Sequence, residues 1–512
     1  MTPKRPDDGY SNDLSRVTTG AGLNLAGKVA NGLIQYSYTI FVARTYGAEL
    51  LGLLSLGLTI TNIVGALSRL GLDIGVIRYV SLHHATADHQ RVKGALFTAL
   101  VTATITSFCL AIAVFYFRKN ISEFFNAEAL QPVLTALALA MPMNSLMIIA
   151  LCATQGLGRM RDTVLAQNIM LPATNLGLAV ILSLLGYGLP GLLGSYIIAT
   201  GGATIISIIF LRKAFNHIAP IRGISEPSRI LRFSITLVVA YFLNWLIIWT
   251  DTLTIGYFLG PDQVGIYNAA NRTALLTGMI LISFSGIFAP MISGLLANND
   301  RKKLSTLLKT IFKWSHTISL PMCLVIALTS HEIMTIFGEN FITGSNTLIV
   351  LGFMQMINSL SAILGWLVAF SGREALLAFN ALVICITNAL LNVYLVPRYG
   401  IFGAAVASTI SIGLLTAALL YQCHTVIAIT PFSKKLLRPS GIGFALFAIL
   451  YSVKTSLFSP EPLITLTLYT IIFLGLFVTA TYYLGLDADD NVLRNLITHK
   501  LTRKPVQPHG DQ

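Results

Sequence analysis

The chain is poor in charge. Asp, Glu, Lys and Arg make up only 11% of its 512 residues, where a soluble globular domain carries roughly 25%. So few charges cannot cover a surface with water-facing side chains, which excludes a soluble globular protein. Cysteine is scarce too: Cys109, Cys152, Cys323, Cys385 and Cys423 stand singly in apolar sequence. Without paired spacing they exclude a zinc site and a disulfide framework, and they read as small core hydrophobes. There is no nucleophile–base signature, and no connection is long enough for a soluble domain. Gly22-Leu23-Asn24-Leu25-Ala26-Gly27-Lys28-Val29 has the spacing of a phosphate-binding loop. It lacks the Ser or Thr that would hold magnesium, follows no hydrophobic strand and opens an apolar run, so it encodes no ATPase. His83-His84 with Asp88 and His89 falls in a short polar loop and reads as solvated, not as a metal site.

What the chain has instead is long apolar blocks. Hydrophobic residues reach 54%, and many runs approach or exceed the ~20 residues that cross the hydrocarbon core. About fourteen are legible: roughly 21–43, 51–70, 94–116, 132–154, 163–186, 189–211, 233–257, 266–297, 311–330, 345–370, 376–396, 400–422, 438–456 and 463–485. Backbone groups in lipid must be paired, so these are helices or barrel strands. Barrel strands would be ~10 residues long and alternate in polarity; these runs are longer and do not alternate. The fold class is an all-α polytopic membrane protein.

The formal charge of +13 invites a nucleic-acid reading, but its placement excludes one. Counting fourteen spans from a cytoplasmic N-terminus, the outer segments hold only Arg44, Arg118, Lys119, Arg398 and Lys454, and Lys28, Arg69 and Arg272 lie within or at the edge of spans. The remaining Lys and Arg fall on the cytoplasmic side, including 212–232, 301–313, 434–438 and 494–504. That asymmetry is the positive-inside rule and predicts cytoplasmic N- and C-termini. Residues 1–19 are polar with no small-residue cleavage site after the first apolar run, so that run is expected to be a retained span rather than a signal peptide.

The chain also repeats itself. Gly47-Ala48-Glu49-Leu50-Leu51-Gly52 returns as Gly260-Pro261-Asp262-Gln263-Val264-Gly265, a shift of 213. Gly158-Arg159 returns as Gly372-Arg373, and Tyr187-Gly188-Leu189-Pro190-Gly191 as Tyr399-Gly400-Ile401-Phe402-Gly403, at nearly the same offset and in the same order. Duplicated spans point to a transporter whose site lies between its halves. Each repeat holds six spans, an even number, so both halves enter the membrane alike and a pseudo-two-fold along the membrane normal relates them. The predicted organisation is a cytoplasmic segment 1–19, a first lobe 20–211, a cytoplasmic linker 212–232, a second lobe 233–424, two extra helices at 437–485 and a polar, mobile cytoplasmic tail 486–512.

Charge inside a span costs several kcal/mol and needs a partner or an aqueous cavity. Asp251 in span seven and Arg272 in span eight lie at similar depth below one membrane face, roughly 10–14 Å at 1.5 Å per residue. They are expected either to form a structural ion pair or to line a transport cavity. Lys28, Asn31, Gln35 and Tyr38 share one face of span one. Tyr241, Asn244 and Asp251 recur on span seven, and Asn268 stacks on Arg272. Such stripes fit helices lining water, or interhelical hydrogen bonding in a dry bundle. Arg69, Asp73 and Arg78 read as an interface-anchoring group. Pro142, Pro172, Pro290 and Pro321 permit bends within spans.

These landmarks resemble a known family. Phe41-Val42-Ala43-Arg44-Thr45-Tyr46-Gly47 resembles the end of the first span in the polysaccharide (O-antigen type) flippases, within the multidrug/oligosaccharidyl-lipid/polysaccharide exporter superfamily. Trp249-Thr250-Asp251-Thr252, Gly256-Tyr257-Phe258-Leu259-Gly260-Pro261 and Val264-Gly265-Ile266-Tyr267-Asn268-Ala269-Ala270 are similar to its seventh-to-eighth-span junction. Asn388 and Asn392 with Val396-Pro397-Arg398-Tyr399-Gly400-Ile401-Phe402-Gly403-Ala404-Ala405 are similar to its eleventh-to-twelfth. The resemblance covers nearly the whole chain. It implies a MATE-like bundle of two six-helix lobes plus two helices, in a bacterial inner (plasma) membrane. It implies no enzyme, but a flippase moving a polyprenyl-diphosphate-linked oligosaccharide from the inner to the outer leaflet by alternating access of the lobes.

On that implication Lys28 and Arg272 attract diphosphate or acidic sugar, and Asn31, Gln35, Asn244 and Asn268 bond hydroxyls. Asp251 holds Arg272 or couples movement to a proton or sodium ion; no cofactor is expected. Expected partners are the lipid-linked oligosaccharide, membrane lipid, and the polysaccharide polymerase and chain-length proteins of the same pathway, with no nucleic acid. Competing expectations are a multidrug or small-solute antiporter of the same superfamily and a lipid-II flippase.

Overall fold

A computed structural model describes residues 7–216, 227–298, 300–427, 434–456 and 461–485. The expected tail 486–512 and residues 217–226 of the linker 212–232 lie outside those residues. The described residues are helical, with no strand among them: α1 (Asp7–Ser68), α2 (Leu72–Ala85), α3 (His89–Phe124) and α4 (Leu130–Gly156). Next, α5 (Met160–Thr163) continues through a π-helical turn, Val164–Met170, into α6 (Leu171–Leu184), followed by α7 (Gly188–Phe215). The second half holds α8 (Pro227–Leu259), α9 (Pro261–Ala297), α10 (Arg301–Phe337), α11 (Ser345–Phe370) and α12 (Glu374–Ile427), then α13 (Leu437–Ser456) and α14 (Pro462–Gly485).

Nine of these stretches are long and apolar enough to cross a membrane, and two, Gly22–Ser68 and Ala375–Thr425, run 47 and 51 residues. Each of those two is more than twice the ~20 residues one crossing needs. Both reverse at a glycine: α1 at Gly47 (φ 83°) and α12 at Gly400 (φ 63°). Only glycine reaches that backbone region without a steric cost, so one residue replaces a loop. The arrangement accommodates the fourteen expected crossings. It differs from expectation at the start, where α1 runs back to Asp7 through the segment read as a polar lead.

The repeat is visible in the backbone. Gly47 (φ 83°) corresponds to Gly260 (φ 93°), and Gly158 (φ 77°) to Gly372 (φ 74°). Asp88 caps α3 by accepting from the Arg91 N–H, and Asp300 caps α10 by accepting from the Lys303 N–H. The two halves meet where α1 crosses the start of α9. A Cβ on Gly52 would overlap the Pro261 carbonyl oxygen, and a Cβ on Gly265 would overlap that of Ala48. Residues 48 and 52 become 261 and 265 at the 213-residue shift, so one patch faces its own copy. Such an isologous contact is the product of a two-fold axis. With six crossings in each repeat, that axis runs along the membrane normal and the lobes are like-facing.

Further interlobe contacts lie at the same end of the bundle, here the hairpin end. Arg44 donates through Nε to the Ile336 carbonyl at 2.5 Å and through Nη2 to that of Thr335 at 3.2 Å. At the corresponding place on the other side, the Tyr257 ring lies on Phe124 with centroids 4.8 Å apart. At the opposite end the expected anchoring residues divide. Arg69 pairs with Asp73 at 3.7 Å, while Arg78 lies 4.2 Å over the Phe233 ring across the lobes.

The two added helices pack on the second lobe alone. Leu320, Leu324 and Leu328 of α10 are buried with Leu450, Phe473 and Phe477. His316 Nε2 lies 2.8 Å from Ser440 Oγ near one end of α13, and Lys454 Nζ lies 2.8 Å from Glu332 near the other.

Candidate functional site

The second lobe encloses a carboxylate. Gly260 turns α8 back into α9, which brings Asp251, nine residues before the turn, opposite Tyr267, seven after it. Gly400 likewise folds α12 so that Asn388 and Asn392, one turn apart on one face, meet Ser408. Tyr267 donates its hydroxyl to Asp251 Oδ2 at 2.5 Å, and Ser408 Oγ donates to the same oxygen at 2.7 Å. Asn392 Nδ2 donates to Oδ1 at 2.9 Å, and Asn388 Nδ2 supports Ser408 Oγ from 3.2 Å. Asp251 is 5% exposed, Asn388 and Asn392 are fully buried, and the Asn392 Oδ1 acceptor has no partner.

Every one of those donors is neutral. A buried carboxylate costs several kcal/mol without a counter-charge, and neutral hydrogen bonds offset only part of that. The pocket therefore sets a carboxyl group among neutral hydroxyl and amide groups, with acceptor oxygens gathered at one place. Asp251 and the partnerless Asn392 Oδ1 are the strongest acceptors, with Asn388 Oδ1 beside them, and this donor set fits a proton or a hard monovalent ion.

The ion pair expected between Asp251 and Arg272 does not form. Arg272 follows Tyr267 by five residues, which at 3.6 residues per turn turns it ~140° from the face that meets Asp251. Its neighbour Thr273 donates instead toward Tyr36 of the first lobe, 3.3 Å away. Arg272 and Asn268 are half-buried on α9, as are Asn31 and Gln35 on α1, while Lys28 is exposed. Asn31 Oδ1 is buried without a partner. The side chain of Asn244 lies outside the described residues.

On span one Tyr38 faces Asn175 within its own lobe, while Tyr36, which stands outside the expected stripe, meets the other lobe. Asp251 likewise points into the second lobe rather than into the seam. Reading the sequence for a site passed over Tyr267 and Ser408, which carry no local signal. Asn388 and Asn392 had one, a pair of amides four residues apart in an apolar span.

The comparisons with known proteins follow this architecture. The family model described as "Polysaccharide biosynthesis protein" matches residues 41–346, from the end of span one through the whole interlobe crossing and the Asp251–Tyr267 hairpin. The chain belongs to that family. Among its relatives is the "Probable low-salt glycan biosynthesis flippase Agl15" of Haloferax volcanii, 24% identical over 389 residues, covering 75% of this chain and 78% of the relative. The "Putative O-antigen transporter" of Shigella flexneri is 24% identical over 428 residues, covering 78% and 96%. Among solved structures, "Lipid II flippase MurJ, inward closed conformation" superposes with a TM-score of 0.74 at 14% identity, over 94% of this chain and all of that one. That likeness establishes the fold: the two-lobed helical bundle of the superfamily. This member of the polysaccharide biosynthesis family is a multi-pass membrane protein built on it.

Proposed function

We propose that the protein flips a polyprenyl-diphosphate-linked oligosaccharide from the inner to the outer leaflet of the plasma membrane for cell-surface polysaccharide synthesis. The observation that carries this reading is the isologous crossing of two like-facing lobes in a chain of the polysaccharide biosynthesis family. Two lobes pivoting at Gly52 and Gly265 expose the space between them to one side and then the other. The sugar head and its diphosphate cannot cross ~30 Å of hydrocarbon unaided. In the seam, Lys28 and Arg272 attract the diphosphate or acidic sugars, and Asn31, Gln35 and Asn268 bond hydroxyls, while the lipid tail stays in the bilayer. The basic end, with both termini, faces the cytoplasm. The protein is a transporter rather than an enzyme.

Asp251 is the coupling residue on this reading. When a proton or sodium ion enters, Asp251 and the amide oxygens of Asn388 and Asn392 hold it, and the buried charge is neutralised. The charge state of the pocket then biases the packing of α8 against α9 and α12, and so the opening of the lobe. A pathway polymerase and chain-length proteins are the expected partners.

The test is a deletion strain complemented with variants. Loss of the protein should abolish surface polysaccharide, with unchanged drug sensitivity and continued wall synthesis, which separates this reading from a drug antiporter and from a lipid-II flippase. Arg272→Glu should fail to restore export while inserting at wild-type levels. Normal surface polysaccharide in Arg272→Glu cells would remove Arg272 from the substrate path.

A further inference from the structure

α3 of the first lobe corresponds to α10 of the second at a shift of 212 residues, and the two helices are covered differently. Leu320 and Leu324 of α10 are 2% and 6% exposed beneath α13 and α14, whereas their counterparts on α3, Phe108 and Ile112, are 57% and 53% exposed. Each repeat thus presents the same apolar face at this place, and only the second lobe covers it with protein.

In the first lobe the uncovered face borders a crevice of about 780 Å³ between α3, α4 and α7. Its walls descend from Arg118 to Phe108 on α3 and from Gln131 to Pro142 on α4. Ten to eleven residues at 1.5 Å per residue is ~15 Å, half the ~30 Å hydrocarbon thickness and so the depth of one leaflet. The polar lining, Arg118, Gln131 and Thr135, lies toward the rim, and apolar side chains such as Phe108, Ile112 and Leu139 line the depth. Arg118 donates one guanidinium N–H to the Phe115 carbonyl at 2.6 Å and lies over that ring, which fixes its head at the mouth and leaves further donors for a ligand.

We infer that this crevice is a binding site for one membrane phospholipid, its acyl chain in the cleft and its phosphate on Arg118. The polarity gradient matches an amphiphile anchored at the head. A second protein's helix has no need of a cationic rim, and it would meet bulky Phe108, Ile112 and Phe115 where helix packing in membranes favours small residues. The lipid completes on the first lobe the cover that α13 and α14 provide on the second.

Native mass spectrometry of the intact, delipidated protein tests this with two probes of equal chain length, dioleoylphosphatidylglycerol and dioleoylglycerol. The wild type should retain one phosphatidylglycerol that Ile112→Trp, which fills the cleft from an exposed position, does not. Arg118→Gln should lower phosphatidylglycerol retention to the level of the phosphate-free diacylglycerol. Equal retention by the wild type and Ile112→Trp would overturn the site, as would equal retention of the two probes by the wild type. Leu139→Trp, also exposed and lining the cleft, serves should Ile112→Trp fold poorly. A photo-crosslinker at Phe108 that captures a protein in cells, with no lipid adduct, would replace the lipid with a partner helix.

Discussion

Asn388 and Ser408 of the second lobe correspond, at a shift of 213, to Asn175 and Ser195 of the first, and each pair is hydrogen-bonded, at 3.2 Å and 3.0 Å. The remaining members of the two pockets have diverged. Where the second lobe has Asp251, the first has Tyr38, which faces Asn175. Where the second has Asn392, the first has Ala179, fully buried. A charged group with its added amide on one side has become a phenol over a methyl group on the other. The frame of two helices joined by an amide–hydroxyl bond is structural and persists in both. The carboxylate is not needed to build that frame, and only the second lobe carries one at this place. The first lobe shows what the pocket looks like when it is merely filled.

That comparison breaks most decisively at Asp251. Asp251→Asn should keep the shape and lose the charge, lowering export about 100-fold, near the upper range of a coupling energy between sites, with protein abundance unchanged. Residual export should no longer respond to the proton or sodium gradient. Vesicle assays that vary each gradient separately identify the ion, and wild-type export in Asp251→Asn would return the pocket to a packing role.

The crossing is expected to be equal where the pockets are not. Gly52→Ala and Gly265→Ala each place a methyl group against a backbone carbonyl of the other lobe, and each should destabilise the protein by about 1–3 kcal/mol. Thermal unfolding in detergent should give the same shift for both; a large difference would break the two-fold relation. The smallest effect belongs to Tyr38→Phe. It removes one buried hydroxyl and should cost about 1 kcal/mol with export unaffected, whereas an export defect as deep as that of Asp251→Asn would show that both pockets are coupled.

Much of this fold is legible in the residues. The apolar runs mark the crossings because nothing else satisfies a backbone in lipid, and Gly47 and Gly260 mark the reversals because other residues resist positive φ. The glycines at 52 and 265 recur in the repeat, although the backbone contact they permit is a tertiary fact. The site was less legible. Asp251 stands out as a charge in an apolar span, but its depth along the helix says nothing of its azimuth, so equal depth does not bring it against Arg272. Its real partners come from 16, 141 and 157 residues away. Two of them, Tyr267 and Ser408, are ordinary residues for a membrane helix and acquire meaning only from the fold.

The two hairpin-end fastenings have unlike chemistry for corresponding positions. Arg44 grips carbonyls at the end of α10 through directed bonds, which fail abruptly once the angle or distance is lost. Tyr257 rests on Phe124 through a face that tolerates sliding. One flank is held by direction and the other by contact alone, so a molecule of near-twofold form is fastened unequally on its two sides.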